Sequence, residues 1–207
     1  MKKICALFLI LIGLQNANAQ YGLQTSLIAP TGSYGYYLKP GLGFELKFNA
    51  GDLDKRFKLG GSIGFYKLKP TQDTFPTYGI QYGGLSGYCN GTLLRPGYEH
   101  IRSYSVITFG FVNEYKILDK KFSPTIGMDA FFYLINISHD FMSGTIEGST
   151  DNDDSYTYAI APKAGISYEY KDNWLFSGGL ARSMSFLGTA EHQAYWKTYL
   201  SVIYYFD

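Results

Sequence analysis

The strongest constraint on this chain is a two-residue repeat. Across residues 196–206, Trp196, Thr198, Leu200, Val202, Tyr204 and Phe206 fall on one side of an extended chain, and Tyr195, Lys197, Tyr199, Ser201, Ile203 and Tyr205 fall on the other. The first side is apolar or aromatic almost throughout. The division recurs where Leu42, Phe44, Leu46 and Phe48 oppose Gly43, Glu45, Lys47 and Asn49, and where Leu59, Ile63 and Phe65 oppose Lys58, Ser62, Gly64 and Tyr66. It recurs again where Tyr158, Ile160, Pro162, Ala164, Ile166, Tyr168 and Tyr170 oppose Ala159, Ala161, Lys163, Gly165, Ser167 and Glu169. Such a chain must form sheet with two chemically different faces.

Eight segments of this kind are expected, near residues 21–29, 41–50, 57–68, 102–117, 122–137, 156–170, 174–187 and 195–206. The connections at 51–56, 119–121 and 171–173 are short and rich in Gly, Asp, Asn and Lys, which is turn chemistry. The alternate connections are long, above all 69–101 and 138–155. Strict alternation of short and long predicts an all-β fold, an eight-stranded antiparallel up-and-down transmembrane β-barrel with turns at one end and loops at the other. A barrel of eight strands has room inside only for side chains, which suits the Gly, Ser, Ala and charged faces. Phe57, Tyr115, Phe122, Tyr168, Tyr170 and Trp174 flank the short turns as an interfacial girdle does, so the apolar faces are expected to meet lipid. Two positions break the pattern. Arg182 shares a face with Phe176, Leu180 and Met184, which predicts either an arginine entering the lumen or a bulge that resets the register. Pro162 lacks a ladder donor and predicts a bulge or local irregularity.

The start of the chain reads as a cleaved export signal over 1–19: Lys2 and Lys3, an apolar run over 4–14, and Ala17-Asn18-Ala19 before Gln20. Residues 20–207 then form one domain of the cell outer membrane. Losing Lys2 and Lys3 takes the 18 basic side chains to 16 against 17 acidic ones, a formal net charge of −1, and nucleic acid is not an expected partner. Cys5 lies within the signal and away from its cleavage point, so it is not an acylation site. Cys89 is the single remaining cysteine, which excludes an intrachain disulfide and a cysteine-rich metal centre.

The opening Gly22-Leu23-Gln24 through Pro30-Thr31-Gly32, the stretch Lys39-Pro40-Gly41-Leu42-Gly43, and Lys58-Leu59-Gly60-Gly61-Ser62-Ile63-Gly64-Phe65-Tyr66 resemble small Bacteroidota outer-membrane β-barrel proteins. These are similar in architecture to the OmpA and OmpX barrels. The resemblance implies outer-membrane lipid as a partner and insertion by the barrel assembly machinery. Substrates of that machinery usually end in an aromatic residue; here Phe206 is penultimate, before Asp207.

Candidate chemistry is sparse, and no cofactor is expected. A hydrolase needs a nucleophile, a base and an orienting carboxylate together. His100, His139 and His192 fall near strand ends or in loops; Ser138-His139-Asp140 is suggestive, but neighbours on a strand point to opposite faces, so no catalytic residue is assigned. The run Asp151-Asn152-Asp153-Asp154 offers oxygen ligands for calcium but lacks the glycine and distal glutamate of an EF-hand, and reads as a solvated loop tip; no metal site is assigned. Glu45, Lys47, Asp129, Lys163 and Glu169, with Arg182, form a candidate lumen set, read as a plug of paired charges in preference to an ion path.

Phe75, Tyr78, Tyr82, Tyr88 and Tyr98, set among glycines in the longest connection, form a candidate partner-binding loop for another outer-membrane or surface protein. Three functions therefore stay open. The first is a structural, surface-interaction or complex-accessory barrel without enzymatic activity. The others are a lipid-modifying enzyme and a soluble lipocalin-like carrier whose apolar faces line a ligand cavity.

Overall fold

The computed structural model describes residues 20–50, 56–82, 92–143, 146–171, 173–188 and 194–205. The expected signal segment, Tyr88, Cys89, His192 and Phe206 lie outside the described residues, as do the side chains of Tyr78 and Tyr82. The elements are β1 (Gln20–Thr31), α1 (Ser33–Tyr37), β2 (Leu38–Ala50), β3 (Phe57–Pro70), β4 (Phe75–Tyr82), β5 (Thr92–Lys116), β6 (Phe122–Ser143), β7 (Ile146–Tyr170), β8 (Trp174–Gly188) and β9 (Ala194–Tyr204).

Strands pair antiparallel with their sequence neighbours, except that β3 and β4 both pair with β5, and the first pairs with the last, Tyr21 opposite Tyr204 and Thr31 opposite Ala194. The ring has eight staves because β3 and β4 lie end to end along β5: β3 pairs with 104–115 and β4 with 92–99. Residues 71–74 bridge the two, and α1 buttresses the break. The amide of Thr71 donates to the Tyr37 carbonyl at 2.8 Å, and the ring of Phe75 sits 5.1 Å from that of Tyr37. Gly32 enters α1 with φ +66°, a conformation that glycine adopts at little cost.

The barrel is closed, antiparallel and eight-stranded, as the repeat predicts, but the long connections are much shorter than expected. The 138–155 stretch is a hairpin, paired as far as Ser143 opposite Ile146. Most of 69–101 is strand as well, in β4 and the start of β5. Their Gly, Asp and Thr content reads as loop in isolation. A neighbouring strand already held in place supplies the ladder that composition alone does not demand.

Of the two irregularities, Arg182 resolves differently from expectation. Arg182 faces outward with Leu180 and Met184 on either side of it along the outer face, opposite Trp196, and its guanidinium lies 5.4 Å from the Trp196 ring centroid. Neither a lumen position nor a bulge is needed, since the long side chain lays its charge over an indole. Pro162 faces outward and coincides with a local irregularity of the kind expected, since the β7–β8 pairing is interrupted at Ala161 and Pro162, while the register is the same on both sides, with Ile160 opposite Met184 and Lys163 opposite Ala181. The β7–β8 bulge lies at Tyr158 and Ala159 instead, near the loop end.

Candidate functional site

Which face points inward is decided by volume. Leu23, Leu27, Leu42, Phe44, Leu46, Phe109, Phe111, Ile166, Leu180 and Leu200 are exposed on the outside, and the glycine-rich, polar faces turn in. Inward glycines make room for larger neighbours. A Cβ on Gly43 would collide with the Tyr66 ring, and one on Gly64 would lie 2.6 Å from the Cγ of Glu45. The sequence thus alternates bulk and void around the ring, so that tyrosines can cross a lumen too narrow for side chains from every stave.

The lumen is layered. At mid-height Glu45, 1% exposed, accepts a hydrogen bond from Gln24 Nε2 at 3.0 Å and another from the Tyr66 hydroxyl, and pairs with Lys197. The Lys197 ammonium also lies 5.1 Å from the centre of the Phe131 ring. Beside this layer Lys163 pairs with Asp129 at 2.6 Å, and the same carboxylate accepts from the Asn113 amide at 3.1 Å. Lys47 sits over the Tyr199 ring at 5.4 Å. Towards the turns Lys116 pairs with Glu169, and Lys58 donates to the Tyr205 hydroxyl at 2.9 Å. Towards the loops the filling is apolar and aromatic: Ile28, Leu38, Leu68, Tyr104, Val106 and Ile135, with the Tyr133 hydroxyl 2.9 Å from Ser183 Oγ.

Burying an ion costs several kcal/mol unless a partner and hydrogen bonds offset it; here Glu45, Asp129 and Glu169 each face a lysine, and Lys47 faces the Tyr199 ring. Two lumen spaces, one bounded by Ile28, Leu68 and Tyr104 and one by Lys47, Lys58 and Glu114, measure about 20 Å³ each. That is room for a single water. The sequence's candidate lumen charges Glu45, Lys47, Asp129, Lys163 and Glu169 all point into this filling, whereas Arg182 does not. Gln24, Tyr66, Lys58, Lys116 and Lys197 complete it. Strand parity identifies them, but their partners lie on staves distant in sequence. A lipocalin-like carrier requires the apolar faces inside around a cavity; they are outside, and the inside is occupied.

Outside, two aromatic zones bound the apolar surface. At the turn end Phe57 stands opposite Tyr115, Phe122 opposite Tyr168, and Tyr170 opposite Trp174, all exposed. Trp174 packs edge-on to Tyr204 at 4.9 Å and Tyr21 to Phe48 at 5.8 Å, which carries the zone across β9, β1 and β2. Towards the loop end lie Trp196 and the cluster of Phe132, Tyr156 and Tyr158. Along β9 the zones are eight residues apart, or about 20 Å of height for a strand tilted by roughly 40°.

Above the loop-end zone β4, β5, β6 and β7 continue as a four-stranded sheet. Among the described residues β4 is paired with β5 alone, and 146–156 of β7 with β6 alone, because pairing with β8 starts at Thr157. This sheet holds the remaining sequence candidates. His139 Nδ1 lies 2.6 Å from Glu99 Oε1, Arg102 donates to Asp140 at 2.5 Å, and His100 Nδ1 lies 2.5 Å from the Asp73 carbonyl oxygen. Ser138 is opposite Ser103, one position along from His139, so the two do not share a site through this ladder. Asp154 accepts from Asn136 at 2.7 Å, while the other side chains of the acidic run lie outside the described residues. Of the loop aromatics, Tyr98 is 57% exposed, while Phe75 is 3% exposed and spends its area on the base of the sheet.

No protein-family model matches the sequence, and neither does any curated protein. Among solved structures the chain is similar to Neisserial surface protein A, with a TM-score of 0.56 over 92% of this chain and 98% of that one, at 13% identity. It is also similar to a major outer membrane protein from Thermus thermophilus, with a TM-score of 0.52 over 91% of this chain and 99% of that one, at 14% identity. At such identities the likeness is one of fold.

Proposed function

We propose that this chain is an integral outer-membrane barrel, exported through a cleaved signal peptide and inserted by the barrel assembly machinery, that works without catalysis as a surface-interaction or complex-accessory protein. The apolar belt between two aromatic zones suits lipid, and both similar solved structures are named as surface or outer-membrane proteins. The filled lumen argues against an ion path. What remains is the sheet raised above the belt.

The observation that carries the recognition reading is the contrast between its two edges. The β7 edge includes Glu147, Asp151, Asp153 and Asp154, and charge on an edge strand discourages pairing with another chain. The β4 edge, Phe75–Tyr82, has no charged residue, alternates apolar with polar positions, and has no second partner among the described residues. An extended segment of another outer-membrane or surface protein can add to it as a strand.

The test is in two stages. Membrane fractionation should leave the mature protein in the detergent-extracted fraction; release without detergent would end the membrane reading. A photo-crosslinking residue at Tyr98 or within β4 should then capture a discrete adduct in cells, against none from a site on the β9 outer face. Adducts no different from that control would end the recognition reading.

A further inference from the structure

Most surface lysines need no explanation, but three at the loop end of the β2–β3 staves do. Lys39 and Lys69 are directly opposite each other across the β2–β3 ladder, and Lys67 stands two residues below Lys69 on the same face. All three are exposed, and among the described residues no carboxylate lies within ion-pair distance of any of them. Like charges directly opposed on a sheet destabilise it. At Lys39 and Lys69 the β2–β3 pair has run past its neighbours, since β1 pairs with β2 only as far as Gly41 and β5 with β3 only as far as Leu68, but Lys67 is paired on both sides, opposite Leu42 and Ser105, so protection of a sheet edge does not account for all three.

The backbone bends to create this arrangement. Unbroken alternation from Glu45 and Gly43 would turn Lys39 into the lumen. A bulge between Lys39 and Leu42 adds a residue to β2, which buries Leu38 and turns Lys39 outward beside Lys69. A second bulge, between Ile101 and Ser103, lies on the adjacent β5 stave, where Arg102 is exposed. Bulges of this kind re-aim side chains and are retained for that use. The lysines begin where the apolar surface stops: Leu27, Leu42, Phe65 and Ile107 are exposed, and Leu42 is the cross-strand neighbour of Lys67.

From this, and resting on the membrane reading above, we infer a binding site for a phosphate-bearing outer-leaflet lipid. Its phosphates lie against Lys39, Lys67 and Lys69, and its acyl chains lie down the apolar surface formed by Leu42, Phe44 and Phe65. Two ammonium groups on directly opposed residues can flank one phosphate, and a third two residues below meets a second. The bound anion removes the repulsion that the free cluster carries, and the chains cover side chains that are already lipid-exposed. The occupant is thus defined by two features together: more than one phosphate, and several acyl chains.

The experiment uses the full mature chain folded into phosphatidylcholine vesicles that contain either diphosphorylated lipid A or its dephosphorylated form. Lipid A retained after transfer to nanodiscs is counted by native mass spectrometry. Wild type should retain diphosphorylated lipid A in preference to the dephosphorylated form. K39Q/K67Q/K69Q should weaken retention about a hundredfold at low salt, on a scale of about fivefold per lysine. K120Q/K121Q, which removes two lysines in a turn at the other end of the barrel, should leave it unaltered. Equal retention by the triple variant would overturn the site, as would equal retention of the two lipids or displacement by millimolar inorganic phosphate alone. Failure of wild type to insert into the vesicles at all would instead overturn the membrane reading, and is scored separately by protease protection.

Discussion

Replacing Glu45 by alanine tests the filled lumen directly. The carboxylate is the shared partner of Lys197, Gln24 and Tyr66, so its loss leaves an ammonium with 5% side-chain exposure to be balanced by a ring and a phenol. Breaking a buried pair by removing one member typically costs about 3–5 kcal/mol, because the survivor stays desolvated. That is roughly a 10²- to 4 × 10³-fold loss in the folding equilibrium constant, using about 1.4 kcal/mol for each factor of ten. The assay is urea unfolding of the barrel in phosphatidylcholine vesicles, followed by fluorescence of Trp174 and Trp196, the chain's two tryptophans, both on the outer face. The midpoint should fall at constant slope, since the surface exposed on unfolding is unchanged. Glu45→Met combined with Lys197→Met should restore most of the loss, because two apolar side chains of similar length need no partner. A cost below about 1 kcal/mol for Glu45→Ala would mean that the pair is solvated like a surface one, and the lumen reading would fail.

Gly43→Val should cost about 1–3 kcal/mol by the same assay, since its side chain displaces the Tyr66 ring and with it the hydrogen bond to Glu45. Leu200→Arg, at a position 69% exposed on the belt, should cost about 2–4 kcal/mol in vesicles if that surface lies at the bilayer midplane; no loss would place the belt in water. Planar-bilayer recording of the purified barrel should show no steady ohmic conductance, and a steady current that changes with Lys47→Ala would refute a lumen closed by side chains.

The loop end teaches how far local patterns reach. Residues 138–155 and much of 69–101 read as loops because Gly, Thr, Asp and Ser carry little preference for strand, yet they are paired nearly to their tips. A strand already anchored in the ring offers its neighbour a ladder at low additional entropic cost, and that template is invisible in composition. Arg182 shows the same limit from the opposite direction. A charge on an apolar face reads as an error of register, whereas the structure supplies a tryptophan on the next stave for it to cover.

Alternation along each strand by itself determined the sheet and its two faces, because side-chain direction in a strand is a local property of the backbone, and the spacing and composition of the connections determined the number of staves. Volume and aromatic placement were enough to predict which face turns inward. Only the tertiary structure decided that Glu45 meets Lys197, that Asp129 meets Lys163, and that a bulge aims Lys39 outward beside Lys69. Those facts depend on the stagger between staves and on which side chains converge across a closed ring. Both are set by closure, a property of the whole chain that no single segment carries.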